Sequence, residues 1–184
     1  MCVYLCSNGR FFHKLSLLVG VGTTQTRETQ KIFTNGERQM ELKIIELNVD
    51  KSKEIYASTN CQQLINSMNE YYPKIGFNKP WVGYFALDNN QVVGTGGFTG
   101  LPKDGKVEIA YWTFKEFEGQ GIASFVCKQL IKIAKTTDPK IVITAKTAPE
   151  HNASTKILKN NGFTFTEIVK DDEIGDAWLW TIEE

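Results

Sequence analysis

The stretch Glu108-Ile-Ala-Tyr-Trp-Thr-Phe-Lys-Glu-Phe-Glu-Gly-Gln-Gly-Ile-Ala-Ser-Phe-Val-Cys-Lys-Gln-Leu-Ile-Lys-Ile-Ala134 reads as a strand, a short loop and a helix. Ile109, Ala110, Tyr111, Trp112 and Phe114 make a nearly continuous apolar and aromatic run, the pattern of a strand covered on both faces. Gly119 and Gly121 then free the backbone. From Ile122 the period changes. Ile122, Phe125, Val126, Leu130, Ile133 and Ala134 recur at the spacing of one helix face, and Lys128, Lys132 and Lys135 take the other. A glycine turn feeding a helix N-terminus aims several backbone N–H groups at one spot, and the helix dipole favours an anion there. Alone, Gly-Gln-Gly-Ile-Ala is equally the composition of a plain strand-to-helix turn.

Outward from this stretch, the chain reads as one domain with an appendage. Its 184 residues carry 21 basic and 21 acidic side chains, so the formal net charge is zero, and no basic stripe marks a nucleic-acid binder. The four cysteines, Cys2, Cys6, Cys61 and Cys127, form no CxxC pair, and with only two histidines a metal site is not expected. Reduced thiols in or near a core fit a cytoplasmic protein. The run from Leu15 to Gly22 is apolar but far shorter than the roughly 20 residues of a membrane span, so no membrane association is expected. Residues 1–39 lack clear periodicity and are read as an N-terminal extension. The main domain is expected over residues 40–184, beginning at Met40 just before a strand at Leu42-Lys-Ile-Ile-Glu-Leu47.

Val49 to Tyr72 reads as two helices broken near Ser58-Thr59-Asn60, with Thr59 or Asn60 as cap of the second. Trp81 to Leu87 and Gln91 to Phe98 flank Asp88-Asn-Asn90 and read as a hairpin. Gly94, Gly96 and Gly97 lie within its second strand, where a bulge or a close backbone approach explains them better than a nucleotide loop. Lys140 to Ala145 is a short buried strand. Ala153, Ile157 and Leu158 form a helix face that Gly162 stops. Phe163 to Val169 and Ala177 to Ile182 alternate as an antiparallel pair with one buried face. This order gives a mixed α/β sheet.

Two blocks of this sequence resemble a known family. Glu-Ile-Ala-Tyr-Trp with Glu-Gly-Gln-Gly-Ile-Ala resembles the acetyl-CoA signature of the GNAT acetyltransferase superfamily, and most closely its RimJ/RimL-type branch. Pro149-Glu-His-Asn-Ala-Ser-Thr-Lys-Ile-Leu-Lys-Asn-Asn-Gly-Phe163 looks like that branch's Asn/Ser helix ending in Gly-Phe. The resemblance covers Glu41 to the C-terminus. It implies a mixed, mostly antiparallel central sheet flanked by helices and splayed between the fourth and fifth strands. It also implies transfer of an acetyl group from acetyl-CoA to a primary amine, on a protein N-terminus or a small molecule, by direct attack in a ternary complex without a metal. A non-catalytic acyl-CoA sensor on the same fold is the alternative, and a monomer or homodimer is expected.

Carried onto these residues, the resemblance puts the pantetheine arm along the main chain of Trp112, Thr113 and Phe114. The pyrophosphate falls on the N–H groups of Gly119, Gln120, Gly121, Ile122, Ala123 and Ser124. Glu118 departs from the pattern, which often has Arg or Gln there. Glu108 is the base candidate; by strand parity it shares a face with Ala110 and Trp112. Partial desolvation there would raise its pKa and suit proton uptake. Asn152 and Ser154 resemble the polar residues at the helix start that contact cofactor or substrate. The branch's usual place for Asn is His151 here, so either residue fills that role, and Asn152 is also a natural N-cap. Tyr71, Tyr72 and Phe77 either line the acceptor cleft or simply pack. The family's frequent general-acid Tyr has no counterpart, because Ile157, Leu158 and Lys159 stand at the candidate places.

Overall fold

A first strand, β1 (Met40–Ile44), pairs antiparallel with β2 (Gly83–Asp88), β2 with β3 (Gln91–Phe98), and β3 with β4 (Lys106–Thr113). β4 then pairs parallel with β5 (Val142–Thr147), which continues antiparallel into β7 (Gly175–Ile182) and the edge strand β6 (Thr164–Asp171). The single sheet runs β1-β2-β3-β4-β5-β7-β6, mixed and mostly antiparallel. This structure is a computed structural model, and it describes residues 38–172 and 174–183. The expectations for residues 1–37, with the apolar run from Leu15, Cys2 and Cys6, lie outside the described residues.

Among the described residues, three α-helices cover the sheet: α1 (Thr59–Ile75), α2 (Ile122–Thr137) and α3 (Ala153–Asn160). A Cβ added at Gly83 would meet Met68 and Tyr72, which puts α1 on that face. A Cβ at Gly96 would lie 2.3 Å from Val126 and 3.2 Å from Leu130, so α2 presses on the opposite face, and only glycine allows it so close. Cross-strand partners share a face. Gly83 pairs with Gly97 and Gly97 with Ala110, whereas Gly96 pairs with Tyr111. Glu108, Ala110 and Trp112 therefore face α1, and Ile109, Tyr111 and Thr113 face α2, as the alternation of the strand requires.

Most elements lie where the pattern of the chain puts them. The hairpin turns through Asn89 (φ 48) and Asn90 (φ 62), the left-handed pair that matches the twist of its strands. The glycine-rich β3 is a strand at close quarters with α2. Local details differ. The first of the two expected helices is a single 3-10 turn, Glu54–Tyr56. The cap of α1 is Ser58, whose hydroxyl accepts from Cys61 N–H at 3.2 Å, one residue before the expected Thr59 or Asn60. The last pair does not bury a face along both strands. β7 is half-buried, but β6 is exposed along most of its length because it is the sheet edge. Cys61 and Cys127 are buried free thiols, and burial pushes both up to about 12.

Candidate active site

The parallel pair β4–β5 is short. It holds from Lys106↔Val142 to Glu108↔Thr144 and stops. Beyond Glu108, β4 continues to pair with β3 as far as Thr113, and β5 with β7 as far as Thr147. The two strands part there, and Glu108 sits at the vertex of the split. The carboxyl ends of a parallel pair are where α/β sheets take ligands. Both α2 and α3 start on this side.

Glu108 is not alone. Lys146, projecting from β5, brings its Nζ to 3.2 Å from Glu108 Oε2 and 3.4 Å from Asp171 Oδ2. The three side chains are only 14%, 15% and 1% exposed, respectively, for Glu108, Lys146 and Asp171. Burial disfavours the charged carboxylate and pushes Glu108 up to about 7, against the downward pull of the Lys146 ammonium. A carboxyl group at that value takes up and releases a proton near neutral pH.

The edge of β4 that faces the split is open to a ligand. Phe114 N–H donates to Val93 O, and Thr99 N–H donates to Glu108 O, so even-numbered residues turn their main chain toward β3. Ile109, Tyr111 and Thr113 turn theirs toward the split. Of Trp112, Thr113 and Phe114, it is thus Thr113 whose main chain faces the open side, while the Trp112 and Phe114 rings pack edge-on, 5.0 Å apart. The Thr113 hydroxyl is buried and has no hydrogen-bond partner.

The loop after β4 passes through a 3-10 turn, Lys115–Phe117, and two left-handed glycines, Gly119 (φ 76) and Gly121 (φ 80). Glu118 is exposed, so water screens its charge. No side chain caps α2; its first helical bond runs from Phe125 N–H to Gly121 O. The N–H groups of Ile122, Ala123 and Ser124 stand outside the helical ladder, as they must in a first turn. The Ser124 hydroxyl accepts from Asn161 Nδ2 at 3.4 Å, tying α2 to the end of α3.

At the other helix start the polar groups are engaged. Asn152 Oδ1 accepts from Ser154 N–H at 2.9 Å and Thr155 N–H at 3.2 Å, and Thr155 Oγ1 accepts from Asn152 N–H at 3.0 Å, a reciprocal capping box. Asn152 Nδ2 donates to Glu150 Oε1 at 2.8 Å, and Ser154 is buried. The His151 ring packs against Trp178, 5.0 Å between centroids. Tyr71 and Tyr72 donate to the carbonyls of Thr99 and Ile45, both at 2.7 Å, and Phe77 packs on Tyr72. This aromatic group packs the α1 face.

A model of the acetyltransferase (GNAT) domain family matches residues 25–164. The chain belongs to the GNAT acetyltransferase family. Among curated proteins, none matches its sequence. Solved structures share the fold of this GNAT domain at low identity. RimL, the ribosomal L7/L12 α-N-protein acetyltransferase, solved with coenzyme A, is 18% identical over 70% of this chain and 75% of its own, with a TM-score of 0.55. The microcin C7 self-immunity acetyltransferase MccE, solved with acetyl-CoA and AMP, is 16% identical over 70% of this chain and 74% of its own, at 0.54. A chimera built on the spermidine N-acetyltransferase SpeG from Vibrio cholerae is 14% identical over 79% of this chain and 95% of its own, at 0.59.

The residues of this GNAT domain fit acetyl-CoA. Among the described residues, the edge of β4 beyond Glu108 is unpaired on the β5 side, the buried Thr113 hydroxyl has no hydrogen-bond partner, and no side chain caps the α2 start that follows in the chain. Among the described residues, no group of three or more His, Cys, Asp or Glu side chains is placed to hold a metal ion. Nor is any helix among them long and apolar enough to cross a membrane. Two residues at the site escaped the reading of the sequence. Lys146 carried a signal, a cation directly after the largely apolar run from Ile141 to Ala145, and such a charge is rarely buried without a partner. Asp171 carried none.

Proposed function

We propose that this protein is an acetyl-CoA-dependent N-acetyltransferase that acts on a primary amine in a ternary complex. Acetyl-CoA supplies the activated acyl group as a thioester. The N–H groups from Gly119 to Ser124 receive the pyrophosphate, and the split edge of β4, with Thr113, aligns the pantetheine arm. The amine nitrogen bonds to the acetyl carbon, the C–S bond breaks to release CoA as its thiolate, and Glu108 accepts the proton lost by the amine, directly or through one water. Lys146 and Asp171 hold that carboxylate in place and set how readily it loses its proton. Asn152 and Ser154 act through the cap that fixes the start of α3 beside the site. The acceptor is an α-amine of a protein N-terminus or an amine on a small molecule; the fold neighbours named above include enzymes of both kinds. A cytoplasmic setting belongs to the same reading and is supported by the two buried thiols. The observation that carries the proposal is the end of β4–β5 pairing at Glu108, whose buried carboxyl titrates near 7.

The test begins with thermal unfolding with and without acetyl-CoA. A hundredfold excess over the dissociation constant stabilises the folded state by about 2.7 kcal/mol. Thiol release is then followed over N-terminal peptides and small amines. Glu108→Gln should lower kcat by about 10²-fold or more and abolish a rise of activity centred near pH 7. Because the folded carboxyl holds its proton above the ordinary carboxylate value, stability should fall as pH climbs from 4.5 to about 7, while activity rises over the upper part of the same window. Turnover unchanged in Glu108→Gln would remove Glu108 from the chemistry. Acetyl-CoA binding with no turnover of any amine would favour the sensor alternative.

A further inference from the structure

Arg38 lies just ahead of β1, and its guanidinium joins two elements distant in sequence. Nη1 donates to the main-chain oxygen of Gln120 at 2.6 Å. Nε and Nη2 lie 2.9 and 2.8 Å from Asp88 Oδ2 at the end of β2. The main chain beside Arg38 is held as well, since Asn89 N–H donates to Gln39 O at 2.9 Å. A half-exposed ion pair of this kind contributes little to stability by itself. Its geometry has a different consequence. Gln120 stands between Gly119 and Gly121, the two residues of the loop with most backbone freedom. The Gln120–Gly121 peptide is trans, so its C=O and N–H point in opposite directions. A carbonyl held on Arg38 therefore fixes the direction of the Gly121 N–H. That N–H is one of the donors assigned to the anion.

The geometry points to Arg38 as a positioning residue for the anion loop, holding the Gln120–Gly121 peptide in the orientation that receives the pyrophosphate of acetyl-CoA. The inference rests on the acetyl-CoA reading above. It makes a segment ahead of the first strand part of the donor site and gives Asp88 a role in carrying Arg38. It also gives the loop a cation from outside its own sequence, where Glu118 occupies the place at which the family often has Arg.

The test uses the whole chain with Arg38→Gln and Arg38→Lys, and CoA as the probe. Calorimetric titration should show CoA binding weakened about tenfold in Arg38→Gln, close to 1.4 kcal/mol. Arg38→Lys, which keeps one donor, should fall between this variant and the wild type. The ligand-free thermal midpoint should stay near the wild-type value. The Gly121 amide resonance should move on CoA addition in the wild type, and by less than half as much in Arg38→Gln. CoA affinity within twofold of wild type in Arg38→Gln overturns the inference. So does an affinity loss matched by a fallen ligand-free midpoint in both variants with an unchanged Gly121 response. Failure of the wild type to bind CoA sinks the acetyl-CoA reading first, and is told apart because it does not depend on the variants.

Discussion

The two walls of the split are built from parallel neighbours, yet they end in opposite ways. The β4 wall carries Glu108, an edge unpaired beyond it, and a helix whose first turn no side chain caps. The β5 wall is paired on β7 along its length and ends in a helix whose N-terminal donors are closed by Asn152 and Thr155. A helix start is an anion receptor only if its N–H groups are unclaimed. Glycine at position 121 leaves them unclaimed, and asparagine at position 152 claims them. The β5 wall contributes instead a cation, Lys146, placed between two buried carboxylates. In the proposed reading the β4 wall receives the ligand, and the β5 wall supports and sets charge.

The strongest way to break this division is to remove the support. Lys146→Met leaves Glu108 and Asp171 buried without their shared cation. Breaking a buried pair from one side costs about 3–5 kcal/mol, so urea unfolding at pH 8 should show a loss of that order. The loss should shrink at pH 5, where Glu108 is protonated in the folded state. Without the downward pull of the ammonium, the activity midpoint should move alkaline of 7. An unshifted pH profile would mean that the β5 wall does not govern the base.

Next comes an exchange of the helix starts. Gly121→Asp puts a carboxylate at the start of α2, where the pyrophosphate should bind. CoA affinity should fall about a hundredfold, roughly 2.7 kcal/mol, as read by calorimetry. Folding stability should fall by about 1–2 kcal/mol, the strain of an Asp in the left-handed backbone of position 121. CoA binding that survives this change would take the pyrophosphate away from α2.

The smallest effect sharpens the contrast from the other side. Asn152→Ala removes the capping box and should cost about 1 kcal/mol of stability, with CoA affinity and kcat lowered only slightly as the start of α3 loosens. A large fall in kcat with no stability loss would return Asn152 to direct contact with the substrate.

Much of this was legible along the chain. The change of period at Ile122 located β4, the loop and α2, and the parity of β4 placed Glu108 beside Ala110 and Trp112. The Asn-Asn turn and Gly162 carried their own backbone geometry. Other features depend on neighbours far away in sequence. The exposure of β6 follows from its place at the sheet edge. Which half of β4 offers its main chain to the split is decided by the hydrogen-bonding phase with β3.

By itself, then, the sequence determined the order of elements, the glycine loop and the identity of the buried acid, because periodicity, turn residues and motif spacing are local properties of the chain. Only the tertiary structure decided that Glu108 shares a cation with Asp171 and that Arg38 reaches Gln120 across 82 positions. Those contacts join residues from separate strands and loops, and pairing between distant segments leaves no periodic trace in either one.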